Sequence, residues 1–340
     1  MVCRDDMRKL PTVPRPDDLI DTAFARAKKA GSKAKGPLGR RREVSIAKVE
    51  SVADTLMERL ETLAEAYASF KFTPFSEEML SIRLGLRGRT EGGPLEARTE
   101  RLLGAVRIIR KLRSQHIARI VRSFPSESMD IRKAFYGRAM SVVKGIDKDL
   151  SALYAARGVL LRVPDIRPDM PVVAVAGFPN SGKSSFLRRV SSGKPKVAPY
   201  PFTTQEIHVG HARIGRLEVQ FLDTPGLLDR DDGARNDIEA RAVAALRHLP
   251  DLVLFLIDLT ETSGPIDGQL HLLGSLRELF VDVDIIPVFT KCDAVERVPE
   301  HPGVEFRISS LTGEGVDALL REIERRLRGK DLGTGDAGFE

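Results

Sequence analysis

Val172-Val-Ala-Val-Ala-Gly177-Phe-Pro-Asn180-Ser181-Gly182-Lys183-Ser184-Ser185 is the stretch on which the reading of this chain turns. An apolar run of strand length leads directly into Gly-x-x-x-x-Gly-Lys-Ser, the pattern of a phosphate-binding loop between a strand and a helix. Glycines there let the backbone curl, so that successive N–H groups converge on phosphate oxygens. The helix that follows adds its positive end to the same spot. In such a loop Gly177, Asn180, Ser181, Gly182, Lys183, Ser184 and Ser185 surround the phosphates. Lys183 reaches the β- and γ-phosphates, and the Ser184 hydroxyl suits Mg²⁺.

Four further pieces follow in order. Asp223-Thr-Pro-Gly226 ends the apolar run 217–222, forty residues after Lys183. A carboxylate at that edge holds Mg²⁺, here through water, and the Gly226 N–H senses the γ-phosphate. Thr290-Lys291-Cys292-Asp293 follows the apolar run 285–289. The Asp293 carboxylate can accept from guanine N1–H and N2–H₂, a donor pair adenine lacks, so the piece selects GTP over ATP. Lys291 would lie over the base. Thr290 stands where Asn is commoner, which predicts a weaker side-chain contact to the phosphate loop. Ser309-Ser310-Leu311 resembles the loop whose backbone N–H meets guanine O6. Tyr200-Pro-Phe-Thr-Thr204 is suited to close over Mg²⁺ and the γ-phosphate, and Thr203 and Thr204 both qualify. Together the five pieces imply a GTPase that binds GTP and GDP with Mg²⁺, with Lys183, Gly226 and one of the two threonines at the reacting phosphate.

The rhythm around these pieces supports the same fold. Strand-like runs at 172–176, 206–213, 217–222, 252–257, 284–289 and 304–308 alternate with helical stretches at 182–191, 234–248, 267–280 and 315–328. This predicts a doubly wound α/β domain over 166–328, its sheet largely parallel. Gly215-Arg216 predicts one hairpin at the sheet edge. Residues 329–340 read as a flexible tail.

Residues 1–165 read as an all-α helical bundle with basic character. Helices are expected at 17–31, 43–70, 76–87, 95–122 and 126–160. The second carries Ile46, Val49, Val52, Leu56, Leu60, Leu63 and Tyr67 at spacings of three and four. Tyr67 is expected at the core edge with its hydroxyl toward water. Residues 32–42 read as a Gly-, Lys- and Arg-rich loop. Ser126 or Ser128 is expected to cap the last helix. Val163-Pro-Asp-Ile-Arg-Pro-Asp-Met-Pro171, with three prolines in nine residues, reads as the domain boundary.

Charge divides along the same line. Residues 1–165 hold 33 basic and 21 acidic side chains, and the remainder holds 21 and 27. A basic half attracts polyanions, or is a set of solvated helix faces. Arg107, Arg110, Lys111, Arg113, Arg119 and Arg122 crowd the helix 95–122, which favours a nucleic-acid partner. The only cysteines, Cys3 and Cys292, support neither a disulfide framework nor a cysteine zinc site. No apolar run approaches the ~20 residues of a membrane helix. With no apolar signal segment at the N-terminus, a cytoplasmic protein without a membrane partner is expected. His208 and His211 are expected on opposite faces of a strand, solvated, with no metal role.

The Tyr-Pro-Phe-Thr-Thr loop resembles that of the Obg-like GTPases related to translation factors. In that group the magnesium-binding Thr is the second, which implies Thr204. Asp223-Thr-Pro-Gly-Leu-Leu-Asp-Arg-Asp-Asp-Gly-Ala-Arg-Asn-Asp-Ile-Glu, with Asp258 and Gln269 downstream, resembles the nucleolar GTP-binding protein one family in its short, archaeal form. That resemblance implies a role in large ribosomal subunit assembly. It implies ribosomal RNA and assembly intermediates as partners, and a protein or RNA activator of hydrolysis. Leu227 stands where Ras-like GTPases carry a water-orienting Gln, so slow intrinsic hydrolysis is expected. In relatives with Gly-x-Pro-Asn-x-Gly-Lys the Asn helps hold K⁺. Asn180 therefore offers a K⁺ site, or is simply a turn residue.

Overall fold

The computed structural model describes residues 4–31, 37–86, 93–167, 169–203, 205–225, 228, 237–298 and 301–333. Among the described residues, seven helices precede the first strand: α1 (Arg4–Lys9), α2 (Pro16–Lys28), α3 (Pro37–Ala68), α4 (Pro74–Leu84), α5 (Glu96–Arg122), α6 (Ser128–Gly145) and α7 (Asp147–Leu160). The chain divides into two compact units. One is Asp6–Lys71 with Arg83–Val159, and the other holds Phe72–Ile82 and everything from Leu160 onward.

The first unit is helical. α2, α3, α5 and α6 pack against one another as a bundle. The apolar stripe of α3 is buried at Val49, Val52, Leu56, Leu60 and Leu63, together with Leu102, Val106 and Ile109 of α5 and Phe135 of α6. Each such side chain contributes about 1.5–3 kcal/mol by leaving water. Tyr67 departs from expectation: it is buried, and its hydroxyl donates to the Pro11 carbonyl (3.1 Å). Burial pushes its pKa up to about 12. The expected loop 32–42 is helical from Pro37, because proline tolerates the first helical turn. The expected helix 126–160 is two helices, broken at Ile146 between α6 and α7. Neither expected serine caps α6. Glu127 is the N-cap residue, with no side-chain bond, and the Ser128 hydroxyl donates backward to the Pro125 carbonyl (2.8 Å).

The second unit contains a seven-stranded sheet in the order β2-β3-β4-β1-β5-β6-β7. Its strands are β1 (Val172–Ala176), β2 (Lys196–Pro199), β3 (Glu206–Ile214), β4 (Leu217–Asp223), β5 (Leu252–Asp258), β6 (Asp284–Thr290) and β7 (Phe306–Arg307). The pairings β4-β1, β1-β5, β5-β6 and β6-β7 are parallel, and β2-β3 and β3-β4 are antiparallel. The hairpin therefore lies one strand in from the edge, which β2 occupies. No run of apolar residues announced β2 in the sequence.

The helices of this unit are α8 (Lys183–Val190), α9 (Asp237–Ala245), α10 (Ile266–Leu279) and α11 (Val316–Gly333). Val173, Val175, Leu252, Leu254, Leu256, Ile286 and Val288 pack with Phe186 of α8 and Leu319 and Ile323 of α11. α11 runs through Gly333, so residues 329–333 are helical rather than tail.

α4 also belongs here, not with the bundle whose helices flank it in the sequence. Its Phe75, Met79 and Leu80 are buried. A reciprocal cap starts it: the Thr73 N–H donates to the Ser76 hydroxyl (2.8 Å), and the Ser76 N–H donates to the Thr73 hydroxyl (3.2 Å). The Phe75 ring lies 6.1 Å from that of Tyr200, and Glu78 pairs with Arg241 of α9 (3.1 Å).

Candidate nucleotide site

The carboxyl ends of parallel strands are where open α/β sheets take their ligands. The motif residues gather at those ends of β1, β4, β6 and β7. After β1 the chain turns through Gly177 (φ +137°) and Gly182 (φ +96°), conformations that L side chains rarely adopt. A Cβ at Gly177 would also collide with the Leu256 carbonyl oxygen. Asn180 is exposed in the left-handed region (φ +65°), the conformation of a turn residue. Lys183 opens α8 and is buried, with Nζ donating to the carbonyls of Gly177 and Phe178 (2.8 Å each). The buried Ser181 hydroxyl has no partner among the described residues. A polyanion fits such a loop: it offers acceptors to the Ser181 hydroxyl and the backbone N–H groups, and a counter-charge to Lys183.

Asp223 ends β4 fully buried, and its Oδ2 accepts from the Ser184 hydroxyl (2.9 Å). Two hard oxygen donors from different elements, side by side next to a phosphate loop, suit Mg²⁺. Asp223 and His208 face each other in the β3–β4 register, and His208 Nδ1 lies 3.8 Å from Asp223 Oδ2. His208 is therefore not simply solvated, because the antiparallel pairing turns it toward the carboxylate. Thr204, Gly226 and Leu227 lie outside the described residues. Among the described residues no group of three or more His, Cys, Asp or Glu side chains is arranged to hold a metal ion.

The Thr290 hydroxyl donates to the Ser181 carbonyl (2.9 Å), with Ile257 O at 3.2 Å. The contact to the phosphate loop, expected to be weaker than that of an Asn, is made by this hydroxyl. Lys291 follows in the left-handed region (φ +56°), and Asp293 is exposed beyond it. The Cys292 N–H donates to Ile308 O (3.3 Å), joining this turn to the segment that carries Ser309, Ser310 and Leu311. There the buried Ser309 hydroxyl accepts from the Thr312 N–H (3.1 Å), and Leu311 is exposed.

Two contributors escaped the motif reading. Arg189 of α8 donates to the carbonyls of Leu311 (3.0 Å) and Thr312 (3.1 Å), tying the Ser309–Leu311 loop to the phosphate-loop helix. Asp258 closes β5 and accepts from Lys291 Nζ (2.8 Å). Arginines on a basic chain are too common for Arg189 to stand out by type. Asp258 stood out in the sequence only as a mark of family resemblance.

Two family models match the chain. NOG1 N-terminal helical domain covers residues 7–167, and 50S ribosome-binding GTPase covers residues 172–291. An uncharacterized protein of Methanocaldococcus jannaschii is 32% identical over 85% of this chain and 81% of its own length. The chain belongs to the nucleolar GTP-binding protein 1 family. Nucleolar GTP-binding protein 1 of Saccharomyces cerevisiae is 28% identical over 89% of this chain. The chain spans about half the length of that relative (49%). A crystal structure described as nucleolar GTP-binding protein 1 from Plasmodium falciparum aligns at 30% identity, over 51% of this chain and 93% of that one, with a TM-score of 0.44. As in the family, a helical unit accompanies a P-loop GTPase domain, and guanine nucleotide is its ligand. Among the described residues no helix is long and apolar enough to cross a membrane.

Proposed function

We propose that this protein is a GTP-driven switch in assembly of the large ribosomal subunit, acting in the cytoplasm and holding ribosomal RNA through its helical unit. One observation carries the reading. Of the crowded cations on α5, Arg110 and Arg113 are answered by Glu61 (2.7 Å) and Asp54 (2.8 Å) of α3, and Arg107 lies 3.7 Å from Glu100. Lys111, Arg119 and Arg122 are exposed and form no ion pair among the described residues. The surplus charge is thus toward the C-terminal end of α5, where a phosphate backbone would match it. The family's name, nucleolar, agrees with a ribosomal setting.

Within the nucleotide site, Lys183 and the backbone from Gly177 to Ser185 hold the phosphates. Ser184, Thr204 and Asp223 hold Mg²⁺, which when bound neutralises phosphate charge. Lys183, Thr204 and the Gly226 N–H act at the γ-phosphate. Asp293 reads the guanine edge, with Thr290, Lys291 and the backbone of Ser309, Ser310 and Leu311 completing the pocket. Leu227 can neither orient nor polarise water, so the isolated protein turns over slowly and an activator supplies the missing group. Asn180 assists K⁺. Single-turnover hydrolysis should be slow alone and faster with assembly intermediates, and faster in KCl than in NaCl. Equal rates in the two salts would remove K⁺ from the scheme.

Sedimentation with precursor and mature large subunits tests the reading, in a non-hydrolysable GTP analogue, in GDP and without nucleotide. Precursor binding that depends on nucleotide and weakens with salt is expected. Binding to mature subunits alone would point instead to a translation-associated GTPase, and no binding in any state would overturn the ribosomal role.

A further inference from the structure

Asp258 is fully buried, yet it is charged and crowded with donors. Its Oδ1 accepts from the Thr260 N–H (2.9 Å) and hydroxyl (2.7 Å). Its Oδ2 accepts from Lys291 Nζ (2.8 Å), the Thr262 hydroxyl (2.8 Å), and the Ser263 N–H (3.0 Å) and hydroxyl (2.7 Å). Burial opposes its ionisation, but the bonds from Lys291, Thr260 and Ser263 outweigh burial and hold the carboxyl well below the usual carboxylate range. The backbone is fixed as firmly. The Asp258 N–H donates to Gln269 Oε1 (2.7 Å), and Gln269 Nε2 donates to Asp258 O (3.1 Å) and Gly264 O (2.9 Å) from a fully buried position on α10.

The partner of this carboxylate is equally constrained. Lys291 has a left-handed backbone, follows Thr290, the register partner of Asp258, and gives a second bond to the Thr262 hydroxyl (2.7 Å). A lysine side chain in solution loses much rotamer freedom when it is fixed. Here both ends of the stem are held by the protein itself. We infer that Asp258 is a positioning residue for guanine-nucleotide binding: with Thr262 it anchors the Lys291 ammonium so that the aliphatic stem is a preformed platform for the base. The inference rests on Lys291 lying over the base, as proposed above. Asp258 has no exposed surface to offer a nucleotide; it acts through Lys291.

A double-mutant cycle on the full chain tests this, reading release of fluorescent GDP by stopped flow. Asp258→Asn and Lys291→Met should each speed release about tenfold, and the double variant should release no faster than Lys291→Met. Multiplied effects, or an unchanged Asp258→Asn rate beside a fast Lys291→Met, would overturn the inference and leave Asp258 as a cap of the 260–263 turn. Should Asp258→Asn fail to fold, Thr262→Val takes its place. It should speed release several-fold in the native background and not at all with Lys291→Met, and an equal effect in both would overturn the inference. Asp293→Asn reports on the guanine reading separately. Xanthine carries a carbonyl where guanine carries an amine, so the amide should shift preference toward xanthosine diphosphate. Without that shift the base-reading assignment falls, and the inference with it.

Discussion

The hydroxyl of Thr290 is worth a measurable share of nucleotide affinity, because it fixes the carbonyl of a phosphate-loop residue. Thr290→Val keeps the shape and removes the bond to Ser181 O, a loss of about 1 kcal/mol. GDP release should quicken about fivefold in a stopped-flow trace, with little change in melting temperature. At Tyr67 the outcome should be the reverse. Tyr67→Phe strands the Pro11 carbonyl, and the melting temperature should fall by a few degrees while nucleotide release stays the same. At the candidate site the placement of Lys183, Ser184, Asp223 and Thr290 at the strand ends is legible residue by residue, because each motif couples a residue type to a fixed spacing along one strand end. Asp258 and Arg189 were not legible as contributors. Their partners are 33 and more than 120 residues away, and only the sheet register brings them together.

Among elements, α11 carries an ionic device whose sign can be checked. Glu322 accepts from Arg325 (2.7 Å) and Arg326 (2.8 Å), and these bonds lower its pKa to about 2 from an ordinary 4.5. The folded state thus binds this proton less readily than the unfolded chain. Its stabilisation is present above pH about 4.5 and is lost as pH falls toward about 2. Glu322→Gln should flatten that part of the acid-unfolding curve, followed by circular dichroism, and leave stability at pH 2 nearly unchanged. α4 is the element most misjudged from sequence. Periodicity identifies a helix, but it does not say which core receives the apolar face. Phe75→Ala should cost about 3–5 kcal/mol, and the loss should appear in melting of the nucleotide-binding unit. The break at Ile146 escaped the same method, since the apolar pattern of α6 resumes in α7 without a proline or a change of period.

Over the whole molecule, the charge asymmetry makes a salt-dependent prediction. Replacing Lys111, Arg119 and Arg122 together by Ser should lower RNA affinity and reduce the slope of log affinity against log salt by about 2–3, measured by filter binding. Removing Arg110 alone should change it less, since Glu61 already answers that charge. The division into a helical half and a nucleotide-binding half was legible from rhythm and charge, except that residues 72–82 cross the line.

That crossing bears on how the protein is made. During synthesis α4 leaves the ribosome more than a hundred residues before Tyr200 and Arg241, its partners in the folded unit, and its buried face has to wait for them. The bundle segments on either side of α4 can settle while that face is still uncovered. For this interval the nascent chain carries an apolar patch of Phe75, Met79 and Leu80, which makes it a natural client for a chaperone that rides on translating ribosomes.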